Sequence, residues 1–109
     1  MWLQFALNGS RSKADHPAVP ITPEEQAAAA RESVVAGTSA IHTHVRGPDG
    51  RESLASNVVA AVLDAIRRVC PRTPVGISTG IWIVSDPAAR LDAVRDWDLR
   101  GRLGEPALT

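Results

Sequence analysis

The chain has 109 residues, 44% of them hydrophobic, and its twelve basic side chains balance twelve acidic ones. This length and composition predict one globular unit with a small core. Zero formal net charge and a single lysine argue against the polyanion-binding surface that a nucleic-acid partner requires. The lone cysteine, Cys70, excludes an internal disulfide and is expected to be a buried structural thiol.

The first seven residues are mostly apolar, but this run is too short to span a membrane and has no basic leader. The sequence therefore predicts neither a signal peptide nor a transmembrane helix. A cytoplasmic location without a membrane partner is expected.

Residues 2–7 are hydrophobic apart from Gln4, which predicts a first strand buried on both faces. After a polar loop, Thr22-Pro23-Glu24-Glu25 supplies an N-cap hydroxyl, a proline at the first helical position and a glutamate at the third. This is the pattern of a capping box. It predicts a helix that continues to Ala36 and is ended by Gly37.

The segment from Thr38 to Val45 is apolar and β-branched, which predicts a second strand, and it contains two histidines. Successive side chains of a strand point to opposite faces, so His42 and His44 share one face. Both rings can therefore reach one metal ion, since zinc lies about 2.0 to 2.1 Å from an imidazole nitrogen. The alternative is a pair of surface or hydrogen-bonded core histidines, and the motif alone does not decide between the two.

The rest of the chain predicts two helices and one strand. Residues 56–69 carry apolar side chains at spacings of three and four, which is typical of an amphipathic helix, and Pro71 stops it. Residues 74–80 predict a short third strand that runs into a loop of hydroxyl side chains and glycine. Asp86 is the expected N-cap of a third helix. The apolar face of that helix comprises Leu91, Val94 and Trp97.

Strand and helix alternate three times, which predicts right-handed βαβ units, a parallel sheet and an α/β fold. Polar groups follow each strand, at residues 8–11, at residues 42–46 and at Ser78-Thr79-Gly80. Active sites of parallel α/β proteins lie at this carboxyl edge of the sheet. No GxGxxG or GxxxxGK[ST] loop follows a strand, so no motif supports a dinucleotide or P-loop site.

Five short segments, taken in order along the chain, carry a family resemblance. The most specific are the His-x-His-Val-Arg motif at residues 42–46 and the Pro-x-Thr-Pro-Glu-Glu motif at residues 20–25. The others are Leu7-Asn8-Gly9-Ser10, Ala36-Gly37 and Ile77-Ser78-Thr79-Gly80. Together they resemble the amino-terminal part of the β-keto acid cleavage enzymes, also called 3-keto-5-aminohexanoate cleavage enzymes. The likeness spans residues 2 to about 97.

Members of that family are zinc-dependent (β/α)8 barrels that convert a β-keto acid and acetyl-CoA into acetoacetate and a new acyl-CoA. The resemblance implies that His42 and His44 are two zinc ligands on the second strand. It implies that the loop Ser78-Thr79-Gly80 helps to hold the keto acid. The third zinc ligand, a glutamate, and the general-base aspartate are expected downstream of this chain. Zinc would act there as a Lewis acid on the keto oxygen.

Arg46 lies within the same motif, and it is a candidate substrate-binding residue. Its planar fork of donors suits the carboxylate of the substrate or a phosphate of CoA. An intramolecular ion pair is the structural alternative. For the hydroxyls of Ser78 and Thr79 the alternatives are binding of the substrate carboxylate and ordinary capping of a strand end.

Residues 1–98 are expected to form three βα units, with an irregular tail at 99–109. The sequence thus predicts the amino-terminal part of a (β/α)8 barrel, a fold that needs about 250 residues. We expect a fragment that binds zinc weakly and is inactive alone, and a homo-oligomer for the full-length protein. Two alternatives stay open: a metal-dependent hydrolase of the amidohydrolase type, which has its HxH on the first barrel strand, and a non-catalytic barrel fragment.

Overall fold

The computed structural model describes residues 3–9, 13–79 and 83–97, in which strands and helices alternate. The strands are β1 (Gln4–Ala6), β2 (Ala40–Thr43) and β3 (Val75–Ile77), and the helices are α1 (Pro23–Val35), α2 (Ser56–Val69) and α3 (Pro87–Arg95). All strands are parallel, in the order β1-β2-β3. The α/β class with three βα units is therefore confirmed, as an open sheet. None of these helices is long and apolar enough to cross a membrane.

The predicted capping box starts α1. The Thr22 hydroxyl accepts a hydrogen bond from the Glu25 N–H at 3.1 Å, and the Glu25 carboxylate accepts one from the Thr22 N–H at 3.0 Å. Glu25 also lies 2.8 Å from Lys13 Nζ. The hydrogen bond from Lys13, followed by those from the Thr22 and Ile21 N–H groups, lowers the pKa of Glu25 from 4.5 to about 2. At the other end, Gly37 has a φ of 108° and ends the helix as predicted.

The core lies between β2 and the pair of helices α1 and α2. Ile41 of β2 and Val45, two residues after the end of that strand, are buried there. Their neighbours in the cluster include Ala27 and Ala30 of α1 and Val59, Val62, Leu63 and Ile66 of α2. The apolar face predicted for α2 is confirmed except at Val69, which is 38% exposed. Val69 is the last residue of the helix and is not a member of this cluster.

Cys70 directly follows α2 and is buried, with 3% of its surface exposed. Burial raises the pKa of its thiol. The guanidinium of Arg67 donates to the carbonyl oxygens of Cys70 and Thr73 and holds this corner together. The prediction of a buried structural thiol is therefore confirmed.

The prediction that the first strand is buried on both faces is wrong. All three residues of β1 are exposed, and Leu3 and Phe5 keep 48% and 46% of their surface in solvent. The reason is its place in the sheet, because β1 pairs with β2 on one side only among the described residues. An apolar run at the edge of a sheet lacks the second neighbour that would bury it.

The apolar face predicted for α3 is also wrong in part. Asp86 caps this helix as predicted, its carboxylate accepting from the Ala88 N–H at 3.3 Å. No residue of α3 is buried, and Leu91 is 49% exposed. Trp97, just after the helix, is half-buried, and its Nε1 donates to the Leu54 carbonyl at 2.7 Å. The predicted tail at 99–109 lies outside the described residues.

Candidate metal and substrate site

His42 and His44 lie side by side at the carboxyl end of β2. His42 belongs to the strand, and His44 follows its last residue, Thr43. The ring centroids are 5.5 Å apart and the ring planes meet at 84°, an edge-to-face arrangement. The predicted convergence of the two imidazoles is confirmed. Their role as zinc ligands stays a prediction.

His42 is paired with a small residue on each neighbouring strand. In the register of the strands, His42 is flanked by Ala6 on β1 and Gly76 on β3. A Cβ atom on Gly76 would lie 3.4 Å from His42 Nδ1, an ordinary van der Waals contact, so this ring lies close to the backbone of β3. Burial lowers the pKa of His42, and the neighbouring His44 lowers it further. Both effects favour the neutral imidazole, which is the form that binds a metal.

His44 is held by the side chain of Asn8, which continues the sheet where the strand pairing ends. Asn8 Oδ1 accepts from the His44 N–H at 3.0 Å, and Asn8 Nδ2 donates to the His44 carbonyl at 3.0 Å. The same Nδ2 donates to the Pro20 carbonyl at 3.0 Å. The sequence marked Asn8 as a polar residue after the first strand. Its role is to fix the backbone that carries His44.

Gln26 ties α1 to the end of β2, and sequence reasoning missed it. Its side chain is wholly buried. Gln26 Oε1 accepts from the Thr43 hydroxyl, and Nε2 donates to the Ile21 carbonyl at 2.9 Å. The sequence held a signal for this role, because Gln26 is a polar residue on the helix face that also carries the buried Ala27 and Ala30.

Glu52 is the second residue that sequence reasoning missed. The turn predicted at residues 47–50 reverses the chain, and the backbones of Arg46 and Glu52 form an isolated antiparallel β-bridge. Glu52 Oε1 then lies 2.5 Å from His44 Nδ1, and both side chains are only 11% exposed. The signal was the turn itself, because a chain reversed over four residues brings position 52 back to the histidine motif.

Arg46 is buried and holds two loops together. Its guanidinium donates to the carbonyl of Gly9 at 2.7 Å and to that of Gly50 at 3.2 Å. Arg46 also lines a cleft of about 870 Å³ between the first turns of α1 and α2, which Lys13 and Arg51 line as well. Neither histidine lines this cleft. A role of Arg46 in substrate binding stays a prediction.

The third polar segment follows β3, next to the end of β2. Ser78 is buried, and its N–H donates to the Thr43 carbonyl at 3.0 Å. Thr79 is exposed, and Gly80 lies outside the described residues. The structure thus brings Ser78 to the same edge of the sheet as the histidines. Binding of the substrate by these residues stays a prediction.

The donor set fits part of a catalytic zinc site. Such a site commonly uses three protein ligands and leaves a fourth position for water or substrate. His42 and His44 supply two nitrogen donors, and the described part of the chain contains no group of three or more histidine, cysteine or carboxylate side chains placed to hold an ion. The two imidazoles therefore supply part of the donor set that such a site uses.

Fold and site together define an α/β protein with a candidate metal site at the carboxyl edge of a parallel sheet. A sequence model of the beta-keto acid cleavage enzymes, BKACE, matches residues 1–103. The chain belongs to this family of enzymes, which confirms the resemblance seen in the motifs.

Three relatives give the extent of the similarity. The 3-oxoadipate:acetyl-CoA acetyltransferase of Cupriavidus necator is 38% identical over 79 residues, which are 72% of this chain and 28% of that protein. The 3-keto-5-aminohexanoate cleavage enzyme of Fusobacterium nucleatum is 41% identical over 76 residues, 69% of this chain and 28% of the relative. The enzyme of the same name from Acetoanaerobium sticklandii is 38% identical over 76 residues, with the same two shares. The chain thus spans about a quarter of the length of these curated relatives.

Proposed function

We propose that this chain is the amino-terminal part of a zinc-dependent β-keto acid cleavage enzyme. In the reaction, the bond between the keto carbon and the adjacent methylene of the β-keto acid breaks. The methylene carbon joins the acetyl group of acetyl-CoA to give acetoacetate, and the remaining acyl group leaves as its CoA ester. The family match over residues 1–103 carries this proposal. The name of the Cupriavidus necator relative supports acetyl-CoA as the co-substrate.

His42 and His44 are proposed to hold the zinc ion. Their adjacent rings and the lowered pKa of His42 support this role. When bound, the ion supplies Lewis acidity toward the keto oxygen of the substrate. Because the chain spans 28% of the relative's length, we propose that the remaining zinc ligand, a glutamate, and the general-base aspartate lie outside it.

Ser78, Thr79 and Gly80 are proposed to bind the carboxylate of the keto acid. Support comes from Ser78, whose N–H donates a hydrogen bond to the carbonyl of Thr43, the last residue of β2 before His44. Arg46 is proposed to attract the acidic substrate or a CoA phosphate. With Lys13 and Arg51 it places three basic side chains in the lining of the 870 Å³ cleft, against the acidic Glu24 and Asp49, although its own guanidinium holds two backbone carbonyls.

The exposed edge of the sheet supports a (β/α)8 barrel for the whole protein. Leu3 and Phe5 of the first strand region keep large apolar surfaces in solvent, and a groove of about 600 Å³ separates this edge from α1. In a closed barrel a further strand pairs with β1, and this pairing removes the exposed edge. We propose that the rest of the protein supplies that strand and fills the groove.

A chimera tests the proposal. Residues 1–97 of this chain replace the matching region of the Cupriavidus necator relative, and CoA-ester formation from 3-oxoadipate and acetyl-CoA is measured with the zinc content. We expect an active, zinc-containing chimera. Loss of an outer-shell partner alone costs up to about 100-fold. Loss of a ligand, by His42→Ala or His44→Ala, is therefore expected to lower kcat by at least about that factor and to release zinc. His16→Ala, on an exposed loop, is the control and should change neither quantity.

The outcomes separate the alternatives. An isolated 109-residue chain with activity that follows its metal content would contradict the need for the rest of the protein. A folded, zinc-free and inactive chimera would favour a non-catalytic remnant. A chimera that hydrolyses amides or esters without acetyl-CoA would favour the amidohydrolase alternative, which family membership does not support.

A further inference from the structure

We propose that Glu52 is a positioning residue for the candidate metal site. Its carboxylate accepts a hydrogen bond from Nδ1 of His44 and thereby sets the tautomer and the orientation of that ring. The inference deepens the proposed function, because it rests on His44 being a metal ligand.

The contact between the two side chains is short and shielded from water. Glu52 Oε1 lies 2.5 Å from His44 Nδ1, and each side chain is 11% exposed. A hydrogen bond to an ionised acceptor is about twice as strong as a neutral one, and the low dielectric of a buried site strengthens it further. The contact is therefore able to hold the ring in one orientation.

Backbone hydrogen bonds on both sides of the turn hold residue 52 next to the histidine motif. The Gly47 N–H donates to the Arg51 carbonyl at 2.8 Å, and the Ser53 N–H donates to the Val45 carbonyl at 2.9 Å. These two bonds enclose Glu52 and place it opposite Arg46, its partner in the antiparallel bridge. The hairpin thus fixes the backbone from which the Glu52 side chain reaches His44.

The backbone of His44 is fixed independently of the hairpin. Asn8 binds both the N–H and the carbonyl of His44, each at 3.0 Å. With the backbone held by Asn8 and Nδ1 held by Glu52, the ring has little rotational freedom left. Such restraint is what a metal ligand needs, because an ion binds most tightly to donors that are already oriented.

The chemistry of the carboxylate decides which nitrogen can bind a metal. An ionised carboxylate only accepts hydrogen bonds, so Nδ1 of the neutral His44 ring must carry the proton. The lone pair of the ring then lies on Nε2. Ligands of this kind commonly donate their other ring N–H to a carboxylate, and loss of that outer partner typically weakens metal binding by about 10- to 100-fold. Glu52 therefore makes Nε2 of His44 the metal-binding atom.

The structural alternative is that Glu52 only fastens the hairpin to the end of β2. Both roles predict a loss of stability when the carboxylate is removed. Both roles also predict a shift of the His44 tautomer, because both use the same hydrogen bond, but only the positioning role predicts a weaker affinity for zinc. Zinc affinity must therefore be measured together with the tautomer.

Long-range ¹H–¹⁵N NMR of the metal-free 109-residue chain at pH 8 reads the tautomer directly. The chain contains three histidines, so the ring signals are few, and exposed His16 serves as an internal reference. We expect the proton of His44 on Nδ1. Glu52→Ala should move it toward Nε2 and weaken zinc binding, titrated in the same spectra, by about 10- to 100-fold. Glu52→Gln, whose amide oxygen can still accept the bond, should lose less.

The matched control is Glu32→Gln, which removes an exposed carboxylate from α1 and should leave the tautomer and the zinc affinity unchanged. A proton on Nε2 of wild-type His44 overturns the inference even if every variant unfolds. Equal zinc affinity in wild type and Glu52→Ala also overturns it. If the chimera with the Cupriavidus necator relative folds but binds no zinc, while His44 is protonated on Nδ1, the metal site itself is disproved instead, and the role of Glu52 toward it falls too. The two failures are thus distinguishable.

Discussion

The half of the molecule around β2 differs sharply from its periphery at β1 and α3. Ile41, Leu63 and Ile66 are completely buried between β2 and the helices, whereas Phe5 of β1 is 46% exposed and Leu91 of α3 is 49% exposed. The central half surrounds its apolar side chains with neighbours on several sides. The periphery presents a similar kind of side chain to solvent, because no further layer covers it among the described residues.

The candidate site belongs to the buried half. The hydroxyl of Thr43, which lies between the two histidines in the chain, donates a hydrogen bond to the buried side chain of Gln26. Asn8 contacts the backbone of His44, and Glu52 contacts its ring. Precision at the site therefore depends on the packing of α1 and α2 against β2. The comparison shows that the candidate site lies in the well-packed half of the molecule, although the periphery of the described fold is open.

The largest effect is expected from a cavity in the central half. Leu63→Ala removes a completely buried side chain of α2, and should lower the free energy of unfolding by about 2–5 kcal/mol. Leu91→Ala makes the same chemical change on α3, where the side chain is 49% exposed, and should cost less than about 0.5 kcal/mol. Urea denaturation of both variants measures the difference. Equal losses would show that α3 is packed as firmly as α2.

The next effect tests the polar connection inside the buried half. Gln26→Leu removes the acceptor of the buried Thr43 hydroxyl and the donor to the half-buried Ile21 carbonyl, leaving one fully buried polar group without this partner. The expected loss is about 1–3 kcal/mol for the group left unsatisfied. Gln4→Leu, on exposed β1, is the matched control and should change stability by less than about 0.5 kcal/mol.

A double-mutant cycle isolates the contact itself. If Gln26 and Thr43 interact as described, Gln26→Leu and Thr43→Val together should cost less than the sum of their separate losses, because the double variant leaves no hydroxyl in need of Gln26. Strict additivity in urea denaturation would contradict a direct bond between the two side chains.

The local features of this chain could be predicted, since they depend on residues close in sequence. The capping box of Thr22 and Glu25 is a pattern of four residues, and the shared side of His42 and His44 follows from the alternation of a strand. The alternation of strands and helices indicated the parallel α/β sheet for the same reason. Each of these signals needs only spacing and residue type.

Features that depend on distant parts of the chain were missed or misjudged. The contact of Glu52 with His44 requires the exact path of a hairpin, and that of Gln26 with Thr43 requires a helix packed on a strand. Phe5 and Leu91 were expected to be buried because hydrophobic patterns report what a residue can bury, not whether a neighbour is there to bury it. The sequence therefore predicted two candidate ligands but not the side chains that hold them.

A smaller effect, of opposite sign, is expected beside His42. Gly76→Ala places a Cβ at 3.4 Å from His42 Nδ1, an ordinary contact, at a glycine whose φ is not positive. The unfolded chain loses freedom, so stability should rise by about 0.4–1 kcal/mol. Gly37→Ala is the contrasting control, because its φ of 108° strains alanine and should lower stability. Thermal unfolding measures both. A loss for Gly76→Ala would show that the His42 ring has no room to spare.

The smallest effect is expected at Glu25, whose side chain is 40% exposed and partly screened by solvent. Its pKa is lowered from 4.5 to about 2 by the bonds from Lys13, Thr22 and Ile21, so the folded chain favours the ionised carboxylate. This contribution is complete above about pH 5 and is lost as the pH falls from about 4.5 to about 2. The melting temperatures of wild type and Glu25→Gln should therefore differ most near neutrality and converge toward pH 2. Glu24 lies one residue earlier in the same helical turn, and the described contacts give its side chain none of these bonds. Glu24→Gln should therefore leave the pH profile of wild type unchanged. A difference between wild type and Glu25→Gln that stays constant down to pH 2 would mean that the capping box acts through its shape and not through the charge of the carboxylate.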